Sequence, residues 1–308
     1  MIFIVMFLLR ALMLSLLFGA SAKVVQDFQN ECGQFFANRR SPTIFPEPQY
    51  RQICQALNNV YYYATFYDTD NKIPVYSAYK FEGLKDCKRT NRWYIEPQLD
   101  DKKESSSMKC EKDVKIQQLG DHQALNGDYD NSGYDKGHLA PVFQALSQSC
   151  ADATFTLTNA APQDRSFNRG QWKKLEKSIA EELSEQCLSK KYSVYIVTGV
   201  VPGASQIKNR VKVPSHFWTA YCCLDNNNKC QISRGFIGEN KNITPKDKTV
   251  GELEKDLTTL YNVGSFELFD NSIKLPQQKQ SELFHNNKAP VSYCLKEKLY
   301  QMFSSLLL

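Results

Sequence analysis

Two runs rich in aromatic and β-branched residues, 60–67 and 73–80, flank a polar turn at 68–72, and this pattern predicts a β-hairpin. Further on, 192–201 reads as a buried strand. Residues 217–224 read as another, returning through the Asn-rich turn 225–229 into 231–237 as a second hairpin. Helical spacing appears twice. Trp172, Leu175, Ile179 and Leu183 form an apolar stripe opposite lysines and glutamates, which predicts a helix over 168–187. Leu253, Leu257 and Leu260 follow a Thr249–Glu252 capping pattern, which predicts a second. Residues 154–158 alternate as a half-buried strand would, 159–169 read as a polar loop, and 100–113 read as a charged, serine-rich exposed loop.

The first stretch differs from all of these. Residues 1–22 are mostly apolar, with Arg10 the only charge, and end in Gly19-Ala-Ser-Ala22, the small residues that a signal peptidase reads, so a signal peptide cleaved after Ala22 is expected. An uncleaved anchor would need about 20 unbroken apolar residues, and Arg10 interrupts the run. No repeat or low-complexity linker divides the rest, so residues 23–308 are expected to form one domain with short terminal extensions.

Composition narrows the class. Of 308 residues, 42% are hydrophobic and 23% charged, with a formal net charge of +5. This is a globular composition with a charge excess too small for a packaging protein, so any polyanion binding must come from local placement of charge. All ten cysteines follow the expected cleavage site. Together with the sequon Asn242-Ile-Thr244 they suggest a secreted glycoprotein with up to five disulfides. Adjacent Cys222 and Cys223 should point to opposite faces of a strand and so take different partners.

The candidate chemistry lies between residues 133 and 176. His138 follows Gly137, whose missing side chain lets the backbone approach a ligand, and Asp135 and Lys136 place both charge signs beside it. A single histidine is more often structural than catalytic; His122, His216 and His285 have no such company and read as structural or surface residues. Asn168 stands where a helix cap is common. Its amide oxygen is also a hard-cation ligand, and Mg²⁺ takes few protein ligands and keeps its waters. Asn168, Trp172 and Glu176 follow one ridge of the helix, so Asn168 and Glu176 can reach the same side.

Asp135-Lys-Gly-His138, Thr158-Asn-Ala-Ala-Pro-Gln163 and Asn168-Arg-Gly-Gln-Trp-Lys-Lys-Leu-Glu176 together resemble the signature of the DNA/RNA non-specific endonucleases, the ββα-metal (His-Me finger) nucleases. Residues 64–68, 73–79 and 96–99 look like the endonuclease domain-containing 1 branch. The resemblance runs from about residue 32 to 268. It implies an α+β fold with a central, mostly antiparallel sheet flanked by helices. It also implies sequence-indifferent phosphodiester hydrolysis of DNA, with RNA as a further candidate substrate, using Mg²⁺, or Mn²⁺ in its place. Beyond the expected signal peptide no segment is long and apolar enough to span a membrane, and no partner protein is evident from the sequence.

Within the resemblance, His138 is the general base, Asn168 the metal ligand and Glu176 the holder of a metal-bound water. Asn159 and Gln163 shape the site around metal and substrate. Lys136 stands where the family usually has arginine, and lysine grips phosphate as a point charge where arginine offers a planar fork. A second phosphate-side arginine is expected upstream, with Arg92 the candidate and Arg89 the alternative; Arg169 is a third substrate contact. The competing reading is a catalytically impaired nuclease fold that binds nucleic acid or a protein partner.

Overall fold

A computed structural model describes residues 23–270. The expected signal peptide, His285, Cys294 and the C-terminal extension lie outside the described residues.

An antiparallel sheet forms the frame. Its first four strands are β1 (Lys23–Val25), β2 (Tyr50–Leu57), β3 (Val60–Asp68) and β4 (Ile73–Phe81). A two-residue turn, Asn58–Asn59, joins β2 to β3 with both residues at positive φ, the backbone twist that a tight hairpin requires. Next come the short pair β5 (Tyr94–Ile95) and β6 (Lys109–Cys110), then the ribbon β7 (Tyr134–His138) and β8 (Ala160–Asp164). The frame resumes with β9 (Ser193–Ile207), β10 (Val211–Leu224), β11 (Cys230–Glu239) and β12 (Lys246–Lys248). Its eight strands run in the order β1-β2-β3-β4-β9-β10-β11-β12, every neighbour antiparallel.

Strand period sets the two faces of this sheet. On β10, Trp218, Ala220, Cys222 and Leu224 join a core with the N-terminal Phe28 and Phe36 and with Leu253 and Leu257 of the helix Val250–Leu260. Tyr221 and Cys223 face the other way, against Ile179 and Leu183 of the helix Lys173–Gln186, and Phe217 packs there against Trp172. The adjacent cysteines accordingly part: Cys222 bonds Cys230 and Cys223 bonds Cys187, with Cys32–Cys54 as a third disulfide. The predicted capping box is present, since Thr249 accepts from the Glu252 N–H while the Glu252 carboxylate accepts from Thr249 N–H.

Two local expectations change. Residues 154–158 are not a strand: they are buried on all sides and close into a short turn at Leu157–Asn159. The strand is β8, within the stretch read as a polar loop, and it pairs with β7 in the register Gly137↔Ala161 and His138↔Ala160. Nor does Asn168 cap the helix. Asp164 does, accepting from Phe167 N–H, and Asn168 opens a turn of π-helix, Asn168–Trp172, that runs into the helix from Lys173. No helix among the described residues is long and apolar enough to cross a membrane.

Candidate active site

The β7–β8 ribbon and the helix that follows it enclose an open cleft of about 820 Å³. His138, Lys136 and Asp135 reach it from β7, and Asn168, Arg169 and Glu176 from the helical side. A β-β-α order thus brings together residues separated by up to 41 positions.

His138 ends β7, and Asn159 fixes the turn beyond it. The Asn159 side chain is fully buried: its oxygen accepts from Ser77 Oγ and Ala140 N–H, both at 2.9 Å, and its amide nitrogen donates to the Ala140 and Thr154 carbonyls, both at 3.0 Å. Every polar atom of that side chain is bonded within the fold, so Asn159 acts on the site through the His138–Ala140 backbone. Gln163, also fully buried, packs under Gly137, where an added Cβ would lie 2.3 Å from Gln163 Oε1. Neither amide atom of Gln163 has a hydrogen-bond partner.

The His138 ring sits between two aromatics, with Trp93 at 5.0 Å and Phe155 at 4.8 Å between centroids. Its Nε2 is buried and has no hydrogen-bond partner. Burial, and after it the positive charge of Arg89, push its pKa down to about 3; the imidazole is therefore neutral at physiological pH.

Asn168 donates from Nδ2 to Asp135 Oδ2 at 2.9 Å. Arg169 clasps the same carboxylate with two bonds of 2.8 and 2.7 Å, and Arg165 lies 3.7 Å away. Burial pushes the Asp135 carboxyl up, but the bonds from Arg169 and Asn168 outweigh it and hold the group below the ordinary aspartate range. Arg169 is thus committed to Asp135, although its side chain is 70% exposed.

Burial pushes Glu176 up to about 7, against the pull of the nearby Trp172 indole, Arg89 and Lys173. The indole nitrogen itself is buried without a partner at hydrogen-bonding geometry. Lys136 Nζ donates to Asn126 Oδ1 at 2.7 Å and lies over the rings of Trp93 and Tyr129.

The upstream arginines separate. Arg89 lines the cleft, with its guanidinium 5.3 Å from the Phe155 ring centroid. Arg92 is exposed, directed at Tyr94, and does not line the cleft. Arg89, the alternative of the two in the sequence, is thus the one at the cleft, and with it come Trp93, Phe155 and wall lysines that no motif marks. Lys173 and Lys177, which also line the cleft, had a signal: they follow Arg169 at successive four-residue steps along the helix. His122, which faces Asp100, and His216, which faces Ser215, do not line it.

Among the described residues, no group of three or more His, Cys, Asp or Glu side chains is placed to hold a metal. The donor set offers instead the Asn168 amide oxygen and the Glu176 carboxylate. Both are hard oxygen donors, which fits a Mg²⁺ ion that keeps most of its waters.

A family model described as DNA/RNA non-specific endonuclease matches residues 41–272. The Endonuclease domain-containing 1 protein of Homo sapiens is 37% identical over 196 residues, covering 63% of this chain and 39% of that protein. Its Mus musculus counterpart is 32% identical over 196 residues, 63% of this chain and 38% of that one. Mitochondrial Endonuclease G of Homo sapiens is 38% identical over 112 residues, 32% of this chain and 36% of that one. The chain therefore spans about two-fifths of the length of the first two relatives.

Proposed function

Since this chain belongs to the DNA/RNA non-specific endonuclease family, we propose that it is a secreted, Mg²⁺-dependent endonuclease that hydrolyses phosphodiester bonds of DNA and RNA without regard to sequence. The observation that carries this reading is the joint placement of His138 and Asn168 on one cleft, the first with a buried, unpartnered ring nitrogen and the second with its amide turned by Asp135. The three disulfides support the secretory assignment.

Asn168 would hold the cation through its side-chain oxygen, with Glu176 fixing one of the cation's waters. Mg²⁺ in that place offsets negative charge on the phosphate and the leaving 3′-oxygen. Neutral His138 meets the substrate able to accept a proton from the attacking water. The approaching phosphate favours the imidazolium that results, because an opposite charge stabilises the protonated ring. Trp93 and Phe155 pack against the ring, one tilted and one edge-on, and so restrict its rotation and cover it from bulk solvent. Lys136, Arg89, Lys173 and Lys177 supply positive charge along the cleft walls, where they grip the backbone and not the bases.

Plasmid nicking by the oxidised protein, with Mg²⁺ and with EDTA, tests the reading beside His138→Ala and Asn168→Ala. The expected result is cation-dependent nicking that both variants lose. DNA binding without cleavage by folded wild type would favour the competing reading of an impaired nuclease fold, for which Lys136 in the arginine position is the specific observation.

A further inference from the structure

Cys87, Cys110 and Cys150 lie outside the three disulfides among the described residues. Two of them meet. Cys150 is buried in the helix Gln148–Ala153, in a small core with Val142, Ala145 and Phe155, and Cys87 packs against that core. The chains are clamped beside the pair: Gln148 Oε1 accepts from Lys88 N–H at 2.8 Å, and Gln148 Nε2 donates to the Lys88 carbonyl at 2.9 Å. Both bonds join the residue after Cys87 to a residue two before Cys150.

The segment so held has little other support. Residues 82–93 contain no regular secondary structure, yet they form a wall of the cleft through Lys85, Cys87, Arg89 and Trp93. Within it, Arg89 lies over Phe155, whose ring touches His138.

We propose that Cys87 and Cys150 form a fourth disulfide, which ties the Arg89-bearing wall of the cleft to the helix Gln148–Ala153. The bond forms by exchange with a small disulfide of the oxidised-glutathione class. Partly exposed Cys87, as thiolate, attacks one sulfur of the donor and releases one thiol; Cys150 then attacks the mixed disulfide at the Cys87 sulfur and releases the second. Two protein thiols are oxidised, one donor disulfide is reduced, and the two thiol protons pass to the released thiolates. Burial pushes the Cys150 thiol up to about 11, so this second step quickens as pH rises.

The test is peptide mapping of protein secreted through an oxidising pathway and alkylated during unfolding without reductant. The peptides bearing Cys87 and Cys150 should be recovered joined, lighter by two hydrogens than the free pair. Recovery of both as alkylated thiols, while Cys32–Cys54, Cys187–Cys223 and Cys222–Cys230 are recovered joined, overturns the proposal, as does Cys87 joined to any cysteine other than Cys150. The tether has its own readout. Native-state trypsin should nick Cys87→Ser and Cys150→Ser after Lys85, Lys88 and Arg89 about tenfold faster than wild type, because local opening sets the rate. Equal rates in all three proteins would remove the mechanical role. Neither readout needs catalysis, so the failure of this proposal is distinguishable from that of the nuclease reading.

Discussion

Asp135 accepts a 2.9 Å hydrogen bond from the Asn168 amide nitrogen, and this contact decides which end of that amide a cation can meet. The oxygen is left free for the ligand role proposed for it, and Arg169 and Arg165 keep the carboxylate ionised. Asp135→Ala should therefore raise the Mg²⁺ concentration needed for half-maximal nicking by about 10- to 100-fold, the usual cost of losing a partner that orients a ligand. A Mg²⁺ titration of nicking rate checks it; an unchanged midpoint would mean that the amide is oriented by something else.

The two upstream arginines make a paired prediction. Arg89→Ala should slow cleavage by about tenfold and flatten the logarithmic salt dependence of DNA binding by about one unit, as loss of one phosphate contact does. Arg92→Ala, outside the cleft, should stay within about twofold of wild type in the same assays. The reverse ranking would return the phosphate contact to Arg92.

Glu96 carries a pH dependence of stability. Burial pushes its carboxyl up to about 8, only partly opposed by hydrogen bonds from Thr156 and Thr158. A carboxyl raised in the folded state contributes its full stability at low pH, where both states are protonated. That contribution is lost as pH climbs from the ordinary glutamate range through about 8, because the unfolded chain gives up its proton first. The slope in that window approaches about 1.4 kcal/mol per pH unit. Urea unfolding at pH 5 and pH 8 should show Glu96→Gln losing less stability between the two than wild type.

Gly137→Ala places a methyl group against Gln163, 2.3 Å from its Oε1 and 2.6 Å from its Cβ. Because the second atom sits at the root of the side chain, rotation of Gln163 cannot clear the clash. Thermal unfolding should report a loss of about 1–3 kcal/mol, the range for overpacking a filled core.

The parts of the site that follow a period were legible in the sequence. Asn168 and Glu176 stand two helical turns apart, and both line the cleft as the spacing implied. The frame hairpins were also clear, because aromatic and β-branched runs ended at polar turns. What escaped detection lacks a period. Residues 82–93 are coil, so nothing in their order says that Arg89 turns inward and Arg92 outward. The alternating residues 154–158 mimicked a strand because their threonine hydroxyls are used internally, Thr156 and Thr158 on Glu96 and Thr154 on the Ala151 carbonyl. Strand β8 hid because Ala160, Ala161 and Pro162 are buried on both faces and leave no polar alternation to read.

β4 and β9 are hydrogen-bonded neighbours, with Phe81 opposite Val194, so the whole segment that carries the candidate site leaves and re-enters the sheet at one place. It is a cassette with adjoining ends. Its own loops can lengthen without pushing β4 and β9 apart. The frame is not free to vary independently of it: Gln55 of β2 and Ser77 of β4 hydrogen-bond Thr158 and Asn159, and Asn240, just after β11, holds the Asp164 N–H and the Pro162 carbonyl, so a change at any of these frame positions reaches the site through a buried or part-buried polar contact.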